Sequence, residues 1–254
     1  MKSLFALFTL LLISGTFTVF AQFGSTENHE NKSGLRIQTI SYELGLGSSF
    51  LSNTEVSKNK PFSGLGAFSG NFNTFIEIPL QISSQPTGFF IKPGAGISVK
   101  TFGLNKTLQS SGGKTVFESF SESKTYTYSH FQQVFADIPL MLGYRFFPEQ
   151  PGRQYSVEVG GQVGYQIYAY GESSVKNKEG YTVSFKDDFK NINPVQVAGT
   201  LKVSTSLMNQ NDLIGFSWFL SGTYFFSDVF KSANLTPGKS FSIMAGIGLI
   251  FNKN

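Results

Sequence analysis

The chain has 254 residues, of which 14% are charged and 15% aromatic, with a formal net charge of +4 and no cysteine. Without cysteine it can form neither disulfides nor zinc–thiolate sites. Its 20 basic and 16 acidic residues are scattered along the sequence. A nucleic-acid groove would need basic residues clustered on one face, so nucleic acid is not an expected partner.

The first 21 residues have the pattern of a secretory signal peptide. Lys2 gives a basic start, residues 4–20 form an uncharged apolar run, and Ala21 precedes the expected mature N-terminus at Gln22. The alternative is a membrane-anchor helix, but no stop-transfer pattern follows. Residues 22–35 are polar and are predicted to be a disordered lead-in. The folded domain is therefore expected over residues 36–254.

Residues 36–254 contain eight segments in which apolar and small or polar residues alternate. This period of two is the signature of a strand, because successive side chains point to opposite faces. The last segment shows it in Phe241, Ile243, Ala245, Ile247, Leu249 and Phe251. The predicted strands cover about 36–49, 72–82, 88–102, 131–146, 153–170, 194–206, 213–226 and 240–251. Their length of roughly ten residues or more suits a tilted strand that crosses a bilayer.

The connections between these strands alternate in length. Short turns are predicted at 83–87, 147–152 and 207–212, and longer loops at 51–71, 103–130, 171–193 and 227–239. Outer-membrane barrels have short periplasmic turns and long outer loops. The pattern predicts an all-β, eight-stranded, antiparallel up-and-down transmembrane β-barrel. A soluble sandwich is the alternative fold. Alternation within the 103–130 loop could extend strands three and four, or raise the count to ten.

Eight charged residues are predicted to face the interior of this barrel. The four acids are Glu43, Glu77, Asp137 and Glu158, and the four bases are Lys92, Lys100, Arg145 and Lys202. An eight-stranded barrel is just wide enough for side chains to fill, and buried charges must be paired. We expect Lys92 and Lys100 to pair with Glu77 and Asp137, and Arg145 to reach Glu158. An ion path or ligand cavity is the functional alternative to structural packing.

No catalytic or metal site is predicted. His130, Ser129 and Glu122 could form a hydrolase triad, but no second strand offers a matching serine and carboxylate. The two histidines are far apart in sequence and do not make a zinc site. We expect no cofactor.

Several short motifs carry a resemblance to a known family. They are the acidic-Ile-Pro-Leu strands Glu77–Leu80 and Asp137–Leu140, the Gly-rich strand segment Pro93–Gly96, and the segments Leu142–Phe146 and Gly246–Phe251. With these motifs the chain resembles the outer membrane protein beta-barrel domain family, of the PorT-like type typical of Bacteroidota. The resemblance implies an eight-stranded barrel in the outer membrane. It also implies a role that is mostly unassigned, with one member type linked to protein secretion.

The expected function is therefore a non-enzymatic outer-membrane barrel with an ion-paired lumen and a structural or interaction role through its outer loops. Its expected partners are outer-membrane lipid and an envelope or secretion protein, and the barrel is expected to be monomeric. The alternatives are a small-solute channel and a lipid-modifying membrane enzyme.

Overall fold

The computed structural model describes the backbone of residues 39–52, 68–82, 85–103, 107–111, 114–118, 125–146, 152–176, 182–187, 193–208, 213–229 and 239–252. The predicted signal peptide and lead-in, residues 1–35, lie outside the described residues. All of the regular structure described is β-strand. None of the described residues forms a helix that is long and apolar enough to cross a membrane.

Eleven strands follow one another along the described chain. They are β1 Thr39–Leu51, β2 Phe68–Ile82, β3 Gln85–Gly103, β4 Thr107–Ser111, β5 Lys114–Glu118, β6 Thr125–Phe146, β7 Gly152–Lys176, β8 Thr182–Asp187, β9 Val195–Met208, β10 Ile214–Asp228 and β11 Lys239–Asn252.

Eight of these strands form one closed antiparallel barrel. Their order around the ring is β6-β3-β2-β1-β11-β10-β9-β7, and pairing between β6 and β7 closes it. The predicted eight-stranded fold is confirmed. The ten-strand alternative is wrong, because β4 and β5 pair with each other and β8 extends from the loop end of β7.

The alternation predicted from the sequence appears as alternating burial. Along β10, exposed and buried residues alternate from Ile214 through Leu220. The exposed positions carry large apolar side chains, such as Phe216, Trp218 and Leu220, which are 56%, 44% and 53% exposed. An apolar exterior around a polar interior is the arrangement of a membrane-spanning barrel.

The strands are staggered around the ring. Glu77 pairs with Thr39, and it faces Lys92 between the pairs Phe75–Gly94 and Ile78–Ile91. If the pairing is followed from Lys92 through β6, β7, β9, β10 and β11, it arrives back on β1 at Ser49. The path began on β1 at Thr39, so one turn around the ring shifts the pairing by 49 − 39 = 10 residues. A stagger of this kind tilts the strands by roughly 35–45° from the barrel axis. Inward side chains of non-adjacent strands can therefore meet at the same level.

Both prolines of the repeated acidic-Ile-Pro-Leu motif lie where the pairing is irregular. The β2–β3 register shifts between Pro79 and Gln81. The β3–β6 ladder passes from Pro93–Leu140 directly to Gly96–Asp137, and so leaves out the position of Pro139. Proline has no backbone N–H to donate to a ladder, which explains the interruptions.

Candidate functional site: the charged interior

All eight charges predicted for the interior lie on the inward face. Seven of them are at most 6% exposed, namely Glu43, Glu77, Lys92, Lys100, Asp137, Glu158 and Lys202. The side chain of Arg145 is 19% exposed. Burial at this level requires partners, because an unpaired charge away from water costs several kcal/mol.

Four of these residues form one cluster across the interior, called here the four-charge cluster: Glu43, Lys92, Glu158 and Lys202. Lys92 Nζ lies 2.7 Å from Glu43 Oε1 and 3.6 Å from Glu158 Oε2. Lys202 Nζ lies 3.0 Å from Glu43 Oε2 and 2.7 Å from Glu158 Oε2. Each carboxylate is thus shared by two ammonium groups, and the cluster carries no net charge. It joins strands β1, β3, β7 and β9.

Aromatic rings pack against the four-charge cluster. The ring centroid of Phe75 is 4.9 Å from Lys92 Nζ and 5.0 Å from Lys202 Nζ. The ring of Phe219 is 5.5 Å from Lys202 Nζ. Both rings are themselves buried. They stabilise the ammonium groups through their π faces and occupy the space beside the ion pairs.

Arg145 pairs with Glu77, whereas the predicted partner was Glu158. Its Nη2 donates to Glu77 Oε1 at 2.5 Å, and its guanidinium carbon lies 5.2 Å from the ring centroid of Phe90. Glu158 already binds Lys202 and Lys92. The expectation for Lys92 is also corrected, since its ammonium binds Glu43 and Glu158 instead of Glu77 or Asp137. Neighbouring strands suggested the wrong partners because the side chains reach across the lumen.

Lys100 forms a second, separate contact group, nearer the end of the barrel that carries the longer loops. Its Nζ donates to Gln196 Oε1 at 2.8 Å, so its hydrogen-bond partner is a neutral amide. The same ammonium lies 3.1 Å from the ring centroid of Phe225 and 4.4 Å from that of Phe135. Asp137 Oδ1 accepts a long hydrogen bond, 3.5 Å, from Gln162 Nε2. Lys100 and Asp137 therefore take different hydrogen-bond partners, but each lies within range of the other's charge, so the predicted pair is a charge interaction without a direct hydrogen bond.

Two buried glutamines also belong to this interior, although neither is among the predicted site residues. Gln196 and Gln133 have no exposed surface, and Gln133 is the ladder partner of Lys100. Their inward position could be predicted, since both lie on the inward face of a predicted strand. They were not selected because burying an uncharged amide without a partner costs less free energy than burying an unpaired charge.

The residues of the possible hydrolase triad are not brought into a described site. Glu122 lies outside the described residues, and for Ser129 and His130 only the backbone of β6 is described. In the described part of the chain, no group of three or more histidine, aspartate or glutamate side chains could hold a metal ion.

Several solved structures match the chain at low sequence identity and with TM-scores below 0.5. Ail of Yersinia pestis, solved with a heparin analogue, is 11% identical with a TM-score of 0.35, and the match covers 85% of this chain and 100% of that chain. Neisserial surface protein A is 10% identical with a TM-score of 0.37, covering 85% and 97%. A major outer membrane protein of Thermus thermophilus is 13% identical with a TM-score of 0.38, covering 85% and 100%. No curated protein matches the sequence.

A protein-family model gives the assignment. Residues 20–231 match the model described as the outer membrane protein beta-barrel domain. The matched residues include ten of the eleven described strands, β1 to β10. The closed ring and the apolar exterior agree with that description. The chain therefore belongs to the outer membrane protein beta-barrel domain family.

Proposed function

We propose that this outer-membrane barrel is closed by its own side chains and that it acts through its outer loops, as a structural or interaction protein. In this proposal the signal peptide at residues 1–21 directs export, the barrel is a monomer surrounded by outer-membrane lipid, and the loops meet another envelope protein. A link to protein secretion, as in the PorT-like type, is one form of this role.

One observation carries the proposal: the four-charge cluster spans the interior with nearly complete burial. Its members come from four strands spread around the ring, and their side chains are at most 8% exposed. Phe75 and Phe219 fill the space beside them. An open, water-filled channel would leave such groups hydrated, so their burial supports a lumen that does not conduct.

The test is conductance of the refolded chain in a planar bilayer, together with a heat-modifiability gel that reports a folded barrel. A heat-shifted band without conductance is the expected result. A water-filled porin refolded in the same way serves as the positive control. Steady, ion-selective current steps from the folded chain would contradict the closed lumen.

A small-solute channel is the second candidate. Among the described residues, several buried polar atoms have no hydrogen-bond partner, for example Ser41 Oγ, Ser240 Oγ and Ser242 Oγ. Water along a solute path would satisfy such atoms. In a channel of this kind, Lys92, Lys202 and Glu43 would line a selectivity filter, and charge-neutral substitutions there would change the ion preference measured in the same bilayer.

A further inference from the structure

We propose that the Arg145–Glu77 ion pair is a latch that controls which carboxylate binds Lys92. While Arg145 holds Glu77, Lys92 stays in the four-charge cluster; when Arg145 is removed or drawn away, Lys92 moves to Glu77 and the cluster opens. This inference rests on the closed lumen proposed above and deepens it, because it names the contact that keeps the lumen closed.

Lys92 lies between competing carboxylates. It faces Glu77 across the β2–β3 ladder, between the pairs Phe75–Gly94 and Ile78–Ile91. Both side chains are inward and both residues are 6% exposed. Nevertheless, the Lys92 ammonium donates to Glu43 at 2.7 Å, whereas Glu77 accepts from Arg145 at 2.5 Å. Glu77, which lies opposite Lys92 in the ladder, is therefore bound by Arg145 instead of by Lys92.

Arg145 lies at the edge of the ion-paired interior. It lies one residue before the end of β6, at the short-turn end of the barrel, and its side chain is 19% exposed. The acid and base side chains of the four-charge cluster are at most 8% exposed. The guanidinium passes over the ring of Phe90 to reach Glu77 from β6, across β3. Arg145 is thus the member of these ion pairs that solvent reaches most easily.

Removal of Arg145 would favour the exchange of partners by Lys92. Without Arg145, Glu77 would be a buried carboxylate without its partner, which is strongly unfavourable. Lys92 is the cation that faces it in the ladder. If Lys92 turned to Glu77, Glu43 and Glu158 would retain Lys202, whose ammonium already contacts both. The exchange therefore leaves every carboxylate with a cation, but it breaks the link between β3 and the rest of the cluster.

The absence of cysteine makes a direct test possible. Ser221→Cys introduces a single thiol at an inward position that is 5% exposed. It lies one inward position beyond Phe219 on β10 and faces Lys202 in the β9–β10 ladder. In detergent micelles, we would measure the rate at which a small charged methanethiosulfonate reagent modifies this thiol. The same rate is then measured with R145M added.

We expect R145M to raise the modification rate by about tenfold or more, because an unpaired buried carboxylate shifts the partner equilibrium strongly. R145K keeps a cation at this position and should leave the rate near that of the parent. R153M removes an exposed arginine that stacks on Tyr155 at the same end of the barrel, and it is the matched control. The double variant R145M/E77Q should return to the slow rate, since Lys92 is no longer drawn away.

The outcomes separate the latch from the closed lumen. A slow parent rate that R145M leaves unchanged would overturn the latch. A fast rate in both R145M and R145M/E77Q would also overturn it, since the bulk of Arg145 alone would then close the interior. A fast rate in the parent would contradict the closed lumen itself, and with it any latch. A heat-modifiability gel on each variant confirms that the barrel is folded.

Discussion

Glu43 binds two ammonium groups at once, and its residue is 4% exposed. Lys92 donates to its Oε1 at 2.7 Å, and Lys202 contacts both of its oxygens at 3.0 Å. Because it joins cations from β3 and β9 to β1, its charge links three strands. Removing the charge while keeping the shape of the side chain leaves two buried cations to share one remaining cluster carboxylate.

We therefore predict that E43Q destabilises the folded barrel by roughly 3–5 kcal/mol, the cost typical of breaking a buried ion pair. The measurement is the midpoint of urea-induced unfolding in lipid vesicles. Because K202M removes one of the excess cations, E43Q/K202M should recover part of the loss. R153Q, a change to an exposed arginine, should leave the midpoint unchanged. An E43Q midpoint equal to that of the parent would show that the pairing contributes nothing to stability.

Inward glycines make room for the large rings of the interior. Phe75, Phe90 and Phe219 are direct ladder partners of Gly94, Gly143 and Gly246, respectively. A Cβ at Gly94 would lie 2.5 Å from Phe75 Cδ1 and 2.7 Å from the carbonyl oxygen of Thr74. The ring thus lies over a position where any side chain would collide with it.

Gly94→Ala should accordingly cost about 1–3 kcal/mol, the usual range for overpacking a tight interior. Gly222→Ala is the matched control, because the nearest atom to its added Cβ is 3.8 Å away, which is ordinary contact. Unfolding midpoints of the two variants in the same vesicles provide the comparison. Equal midpoints would mean that the Phe75 ring moves aside without cost.

At the scale of whole strands, β6 and β7 stand apart by their length. They have 22 and 25 residues, whereas β1, β2, β9, β10 and β11 have 13 to 15. Their ladder continues to Thr125–Lys176, but β3 leaves β6 at the pair Gly103–His130. The predicted extension of strand four into the 103–130 region is therefore confirmed, since this strand, β6, begins at Thr125, whereas strand three, β3, is described as far as Gly103.

Deleting residues 104–124 should leave the barrel folded, because every ladder of the eight-stranded ring lies outside this segment. The heat-modifiability shift and the urea midpoint should match those of the parent within about 0.5 kcal/mol, as for changes away from the core. Loss of the folded band would show that the hairpin formed by β4 and β5 supports the ring. If the outer loops carry the interaction proposed above, the same variant should lose its partner in pull-downs from native envelopes.

The period of two was enough to predict the strands and the inward set of charges. Strand ends fell within a few residues of those observed for most strands, and Glu43, Lys92, Glu158 and Lys202 all face the interior. The partners could not be predicted in the same way. The ion-pair partners depend on the stagger of ten residues around the ring, because this stagger determines which inward side chains lie at the same height in the barrel. The alternating pattern of the sequence does not reveal the size of the stagger.

At the scale of the whole molecule, the exterior is an apolar belt. Leu220 lies near the middle of β10 and is 53% exposed, with Trp218 and Phe216 on the same outward face. A soluble protein would tolerate a lysine at such an exposed position. In a bilayer, lysine on the lipid face near the midplane costs about 2–4 kcal/mol.

We predict that L220K lowers the unfolding free energy in lipid vesicles by that amount. L213K makes the same substitution at a residue that is 62% exposed and lies just before β10, at the end of the barrel. It is the control and should cost at most about 1 kcal/mol, because the penalty for lysine falls to about 0–1 kcal/mol near the membrane interfaces. The two variants are compared by urea titration in vesicles of the same lipid. An L220K barrel as stable as the parent would argue that this face does not contact lipid.

The seam between β1 and β11 has a consequence for how the protein is made. It pairs Thr39 with Asn252, residues 252 − 39 = 213 positions apart. The ring therefore cannot close until almost the whole chain has been synthesised and delivered. Until then the growing sheet has two open edges, which are templates for aggregation. Contacts between such distant residues also form slowly. An unfinished or prematurely terminated chain would therefore keep two unpaired strand edges open to association with other chains.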